Sequence, residues 1–126
     1  MKSTVFLFGE AEKGEFCTPQ RLTSVAQLAE EYGNPPVDSV GIIYGIQALM
    51  YERDLIFFRV KEEGFSVSEY MRGIRLLDGE KRIENLAAIC LPGVGDAEII
   101  AASARVSKLY KSFLIITEKD LHDYLH

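Results

Sequence analysis

Val5-Phe6-Leu7-Phe8 reads as a strand with no polar side. A strand lying half in solvent alternates apolar and polar side chains, whereas an unbroken apolar run requires cover on both faces. The same character returns in Leu55-Ile56-Phe57-Phe58, in Leu86-Ala87-Ala88-Ile89-Cys90-Leu91 and in Phe113-Leu114-Ile115-Ile116. Strands of this kind belong inside a parallel sheet sandwiched by helices, as in α/β proteins. Reading outward from Val5, the segments between the runs should therefore be helical.

Their periodicity agrees. Ser24 stands as an N-cap, and Val25, Leu28, Ala29 and Tyr32 follow at helical spacing before Gly33 stops the stripe. After Pro35-Pro36, Asp38 or Ser39 is the expected cap of a second helix. Its Val40, Ile42, Ile43, Ile46, Ala48, Leu49 and Met50 leave almost no polar face. Such a helix belongs at the centre of the domain, and Gly41 and Gly45 within it permit close approach of a neighbour. Ser66 with Glu69 makes a capping box ahead of Val67, Tyr70, Ile74 and Leu77, and Gly79 ends that helix. Asp96 caps a helix with Ile99, Ser103, Val106 and Tyr110 on one stripe, and a short helical tail starts at Glu118. Cys17 to Thr23 offers a short edge strand, against which Pro19 argues. The pattern predicts an open, mostly parallel α/β sheet of about four to five strands with helices on both faces and right-handed crossovers.

Composition sets the bounds. The 126 residues make a single domain, residues 1–126, able to bury roughly two-thirds of the surface its unfolded form exposes. Apolar residues at 48% and charged residues at 26% are the mix of a globular chain and exclude disorder. No signal peptide or membrane span is read from the sequence. Cys17, in a polar loop, and Cys90, in an apolar run, are expected as reduced thiols of a cytoplasmic protein. Fourteen basic against nineteen acidic residues give a net charge of -5, which argues against nucleic acid or an anionic membrane as partner. Lys81-Arg82, the densest positive cluster, is flanked by Glu80 and Glu84.

The chemical motifs fail on inspection. Gly9-Glu10-Ala11-Glu12-Lys13-Gly14 has the two glycines of a P-loop directly after a strand, but Glu15 stands where a Lys has to reach the phosphates. Three carboxylates in that loop would repel a nucleotide. Leu91-Pro92-Gly93-Val94-Gly95-Asp96 carries the first two glycines of a dinucleotide fingerprint, with Glu98 in place of the third. Asp96 and Glu98 cap that helix start with negative charge, so the expected role is a sharp turn. Loops at the carboxyl ends of parallel strands nevertheless form the default ligand crevice, here Gly9, Glu10, Pro92, Gly93, Gly95, Asp96 and Thr117. His122 and His126 sit four apart near the end of the chain, where metal binding needs a further ligand and the last turn frays, so a solvated tail is expected. No nucleophile stands near either histidine in sequence. The pairs Glu30-Glu31 and Glu62-Glu63 are expected on solvated faces, and Phe57, Phe58, Phe113, Tyr32, Tyr70 and Tyr110 in the core.

One pattern spans nearly the whole chain. Phe8 to Pro19, then Leu22-Thr23-Ser24, then a helix closing in Tyr32-Gly33 resembles the opening of the contractile phage tail sheath family, where a strand leads through a Gly-x-Ala-x-x-Gly-Pro turn to a Thr-Ser cap and a helix ending in Phe-Gly. Ile42 to Tyr51 followed by Ile56-Phe57-Phe58-Arg59-Val60 is similar to that family's hydrophobic helix and its strand ending in Val-Val-Arg-Val. Asn85 to Gly93 resembles its strand ending in Pro-Gly, and Ser112 to Thr117 its next strand. Glu15 departs from the usual Pro, and Glu52-Arg53 from an Asn-Gly-Gly turn.

The resemblance covers the amino-terminal α/β part of the family. It implies a stand-alone sheath-like domain of a phage, prophage or tail-derived assembly, without the carboxy-terminal domain and exchanged arms. Such a domain acts by docking or self-association, with no catalytic residues, cofactor or metal. The expected contact residues are the acidic turn Gly9, Glu10, Glu12, Gly14 and Glu15 and the loop Lys61, Glu62, Glu63 and Phe65, with Phe16 and Phe65 as apolar anchors. The alternatives are a small-ligand-binding or enzymatic domain using the strand-end crevice, and a homo-oligomer paired through an edge strand.

Overall fold

The computed structural model describes residues 2–126. Along the chain, β1 (Thr4–Gly9) and β2 (Gln20–Leu22) precede α1 (Val25–Tyr32) and α2 (Gly41–Met50). Then come β3 (Asp54–Arg59), α3 (Val67–Leu77), β4 (Leu86–Cys90), α4 (Ala97–Tyr110), β5 (Phe113–Ile115) and α5 (Glu118–Leu125). The sheet has the order β2-β3-β1-β4-β5. The most apolar strand, β1, takes its centre and pairs in parallel with β3 on one side and β4 on the other. β5 continues in parallel beyond β4, and β2 closes the opposite edge antiparallel to β3. The α/β class, the mostly parallel sheet and the short edge strand thus agree with the sequence reading. Pro19 lies just before β2 on an edge, where its missing N–H costs no ladder bond.

Alternation along each strand sends side chains to two cores. Val5, Leu7, Leu55 and Phe57 meet α1, α2 and α5 through Leu28, Tyr32, Ile42, Ala48 and Leu121. Phe6, Phe8, Ile56 and Phe58 meet α3 and α4 through Tyr70, Ile74, Ile99 and Val106. In β4 the register shifts between Thr4 and Val5, whose partners are Leu86 and Ala88. The extra residue is Ala87, and this bulge puts Leu86 and Ala88 in different cores although they are two apart.

The second core is built on aromatic rings. Phe8 stacks on Tyr70 at 5.0 Å between centroids and tilts against Phe58 at 5.1 Å and Phe6 at 5.2 Å. Phe113 departs from its expected core role. It stands 61% exposed, because β5 is an edge strand and only the Tyr124 ring of α5, 5.2 Å away between centroids, packs on it. Among the described residues no helix is long and apolar enough to cross a membrane.

Local signals explain most helix ends. Ser24 Oγ accepts from Gln27 N and Asp96 Oδ1 from Ile99 N, as expected of N-caps. Two caps differ from the sequence reading. α2 starts after Val40 with no side-chain cap of its own; Asp38 stands in a left-handed turn at φ 64°, and the Ser39 hydroxyl donates to Pro36 O. The Ser66 and Glu69 side chains make no capping box, because both are drawn onto the preceding loop, where they accept from Glu62 N and Lys61 N.

Truncating Phe8 to Ala should cost about 3–5 kcal/mol, since the ring is fully buried between Tyr70 and two other aromatics. Urea unfolding followed by circular dichroism measures the loss.

Candidate functional site

In a doubly wound sheet the ligand crevice opens where successive crossovers leave in opposite directions, beyond the carboxyl ends of the strands. Here that point lies between β1 and β4, since β3 pairs on one side of β1 and β4 on the other. The chain fills the crevice itself. After β3 the loop 61–66 crosses the end of β1, where Glu63 Oε1 accepts from Glu10 N at 3.0 Å. The same oxygen accepts from Gly41 N at 3.0 Å, and Oε2 accepts from Val40 N at 2.8 Å. Glu10 returns the contact, its Oε2 accepting from Glu63 N at 2.8 Å. The loop then reaches the turn after β4, where a Cβ on Gly64 would stand 2.9 Å from Gly93 O. Gly64 has φ 88°, and its N–H donates to the Tyr70 hydroxyl at 2.6 Å, which ties the loop to the aromatic core.

Glu63 therefore supplies the cap that α2 lacks. A carboxylate at a helix N-terminus is favoured by the free amides and by the helix dipole. The contact requires a close approach of backbones, since a Cβ on Gly41 would lie 2.9 Å from Gly9 Cα and 2.6 Å from Glu63 Oε1. Burial pushes the Glu63 carboxyl above the usual range, the amides of Val40, Glu10 and Gly41 pull it back, and the Glu10 charge adds a smaller upward push. Expected on a solvated face, Glu63 is half-buried; Glu62 beside it is exposed.

The acidic turn is equally committed. Glu12 N and Lys13 N donate to Tyr32 O at 3.1 and 3.3 Å, so these amides form no phosphate cradle. The Glu12 carboxylate accepts from Asn34 N at 3.1 Å and closes the end of α1. Arg59, the last residue of β3, holds the turn from below by donating to Ala11 O and Gly14 O. Its guanidinium lies 3.9 Å from the Phe16 ring centroid, while its buried Nε has no partner. Cys17 N donates to Arg59 O, and the Cys17 side chain packs half-buried on the second core instead of lying free in a polar loop.

The expected site residues thus separate into two groups. Gly9, Glu10 and Glu63 are tied into the interior, and Glu12 and Gly14, although exposed, are taken up by contacts within the chain. Glu15, Phe16, Lys61, Glu62 and Phe65 form the outward rim, with Phe16 at 43% and Phe65 at 74% exposure and Lys61 Nζ 6.0 Å from the Phe16 ring. Of the crevice residues, Pro92 is buried and Gly93 turns the chain at φ 74°, followed by an exposed Gly95. Asp96 caps α4, and Thr117 caps α5 in a capping box with Asp120, whose carboxyl those amide bonds hold below its ordinary value. Sequence reasoning placed Glu63 among outward contact residues, not as the cap of α2, and assigned no role to Arg59. The sequence carried no signal for this, since Asp38 and Ser39 offered a local cap that the folded chain does not use.

Glu63→Gln should destabilise the fold by about 1–3 kcal/mol, because a carboxamide cannot accept from all of these amides and turns an N–H toward one of them. The pH dependence has a definite sign. With its folded-state value raised, the native state is the better proton binder, so stability from this carboxyl is complete below 4.5 and is lost as pH rises through the folded value. Denaturation at a series of pH values should show that slope in the parent and not in the variant; an opposite slope would mean that the amide bonds outweigh burial. Gly41→Ala should cost a further ~1–3 kcal/mol through the clash with Gly9.

No family model matches the chain, and no curated protein or solved structure is significantly similar to it.

Proposed function

We propose that this domain is a docking module without chemistry of its own, a sheath-like α/β unit of a phage, prophage or tail-derived assembly. The setting rests on the resemblance of Phe8–Gly33, Ile42–Val60 and Asn85–Gly93 to the tail sheath family. The observation that carries the docking reading is the occupied crevice: the Glu63 carboxylate already takes the amides that an anionic ligand would use. Around that filled crevice, Phe65 and Phe16 offer exposed rings beside Lys61, Glu62 and Glu15. Aromatic anchors within a polar rim are the anatomy of a protein contact. The cytoplasmic setting expected from the free Cys17 and Cys90 belongs to the same proposal.

The exposed rings of the rim carry the test. Phe16→Ser with Phe65→Ser should keep the parent fold and lower its stability by only about 1 kcal/mol, because Phe65 is exposed and Phe16 loses its stacking on Arg59. The double variant should lose self-association in sedimentation velocity, or binding to co-expressed tube, baseplate or sheath subunits. A parent chain that stays monomeric at high concentration and binds none of these subunits ends the docking reading. A thermal-shift screen with nucleotides and small acids should be silent, and a robust shift would move the reading to a ligand-binding domain.

A further inference from the structure

α5 carries His122 with His126 as its C-cap one turn on, and this end of the helix is anchored. Leu121 and Leu125 are buried, Arg53 lies over the Tyr124 ring at 4.9 Å, and His126 N donates to His122 O at 2.9 Å. On this anchored turn the two imidazoles stand 4.4 Å apart between centroids, and the Tyr51 ring meets His126 edge-on at 4.6 Å. Both histidines are exposed and line a groove of about 300 Å³ between α2 and α5, together with Gln47, Met50, Tyr51, Glu118 and Leu125.

The geometry points to a two-histidine chelate for a late first-row transition-metal ion, copper(II) before nickel(II) or zinc(II). A metal–nitrogen bond of about 2.0–2.1 Å puts an imidazole centroid roughly 3.2 Å from the metal, so two ligands at a right angle stand about 4.5 Å apart. The observed 4.4 Å matches this spacing, and the rings need only rotate about χ2, which is soft in histidine, to aim one nitrogen each at a common point. A right angle suits tetragonal copper(II) and nickel(II), and among divalent ions imidazole sites hold copper(II) most tightly. Among the described residues no third His, Cys, Asp or Glu joins the pair, so water completes the coordination and the ion stays exchangeable. The net charge of -5 and the Glu118 carboxylate in the groove favour an incoming cation. Bound metal would lock the last turn of α5, and the groove shares no residue with the outward rim around Phe16 and Phe65.

Titrating the whole chain with copper(II) chloride in a non-coordinating buffer, by calorimetry and electron paramagnetic resonance, tests this. The expected result is one copper per chain with the hyperfine pattern of two imidazole nitrogens, and a melting temperature that rises with copper. His122→Ala and His126→Ala, both at exposed positions, should keep the parent circular dichroism spectrum and bind about tenfold more weakly or worse. Equal affinity in the parent and both variants, or a spectrum without two imidazole nitrogens, overturns the assignment.

Discussion

Burial of β1 on both faces is the constraint from which the rest of the structure follows. Val5 and Leu7 enter one core and Phe6 and Phe8 the other, so the strand is shielded only with a helical layer on each side. A strand in that position sits mid-sheet with neighbours on both edges, and the chain supplies β3 to one and β4 to the other. Reversing direction across β1 opens a crevice at its carboxyl end, where backbone amides point outward with no strand to receive them. What the protein does with those amides decides its character.

In many folds of this class a ligand phosphate satisfies them. Here a side chain does. Glu63 comes from a loop that crosses β1, and its carboxylate joins the end of β1 to the start of α2 while the loop backbone presses on the turn after β4. The Glu10, Val40 and Gly41 amides are therefore taken from within, and the loop that takes them leaves Phe65 in solvent. Arg59 performs a related task on the other side, holding the Ala11–Gly14 turn so that Phe16 stacks on its guanidinium at the surface. Internal satisfaction of the crevice and outward display of aromatic rings are two results of one loop arrangement.

Much of the fold was legible because it rests on local periodicity. The apolar runs gave four of the five strands, the Ser24 and Asp96 caps were visible as residue types, and the glycines of α2 signalled the close approach that Gly41 makes to Gly9. The readings that failed turned on the folded path of a loop or on strand order, even where the partners are only a few residues apart. Ser66 and Glu69 have the spacing of a capping box, yet both accept from loop amides that only the folded path of residues 61–66 brings near. Phe113 has the composition of a core strand, but exposure depends on strand order, which periodicity does not encode. Glu62 and Glu63 are indistinguishable as letters, and only the second turns inward.

The sequence by itself determined the class of the fold, since strands apolar on both faces alternating with amphipathic helices admit few arrangements other than a covered parallel sheet. It also determined that Glu15 and Glu98 stand where the two phosphate-binding patterns require a lysine and a third glycine. Tertiary structure alone decided where Glu63 goes, which acidic residues are taken up by contacts within the chain, and that the two histidines share an anchored face. The physical reason is range. Hydrophobic periodicity acts over one or two turns of chain, whereas a carboxylate selects its amide donors by position in space, across the 53 residues that separate Glu10 from Glu63.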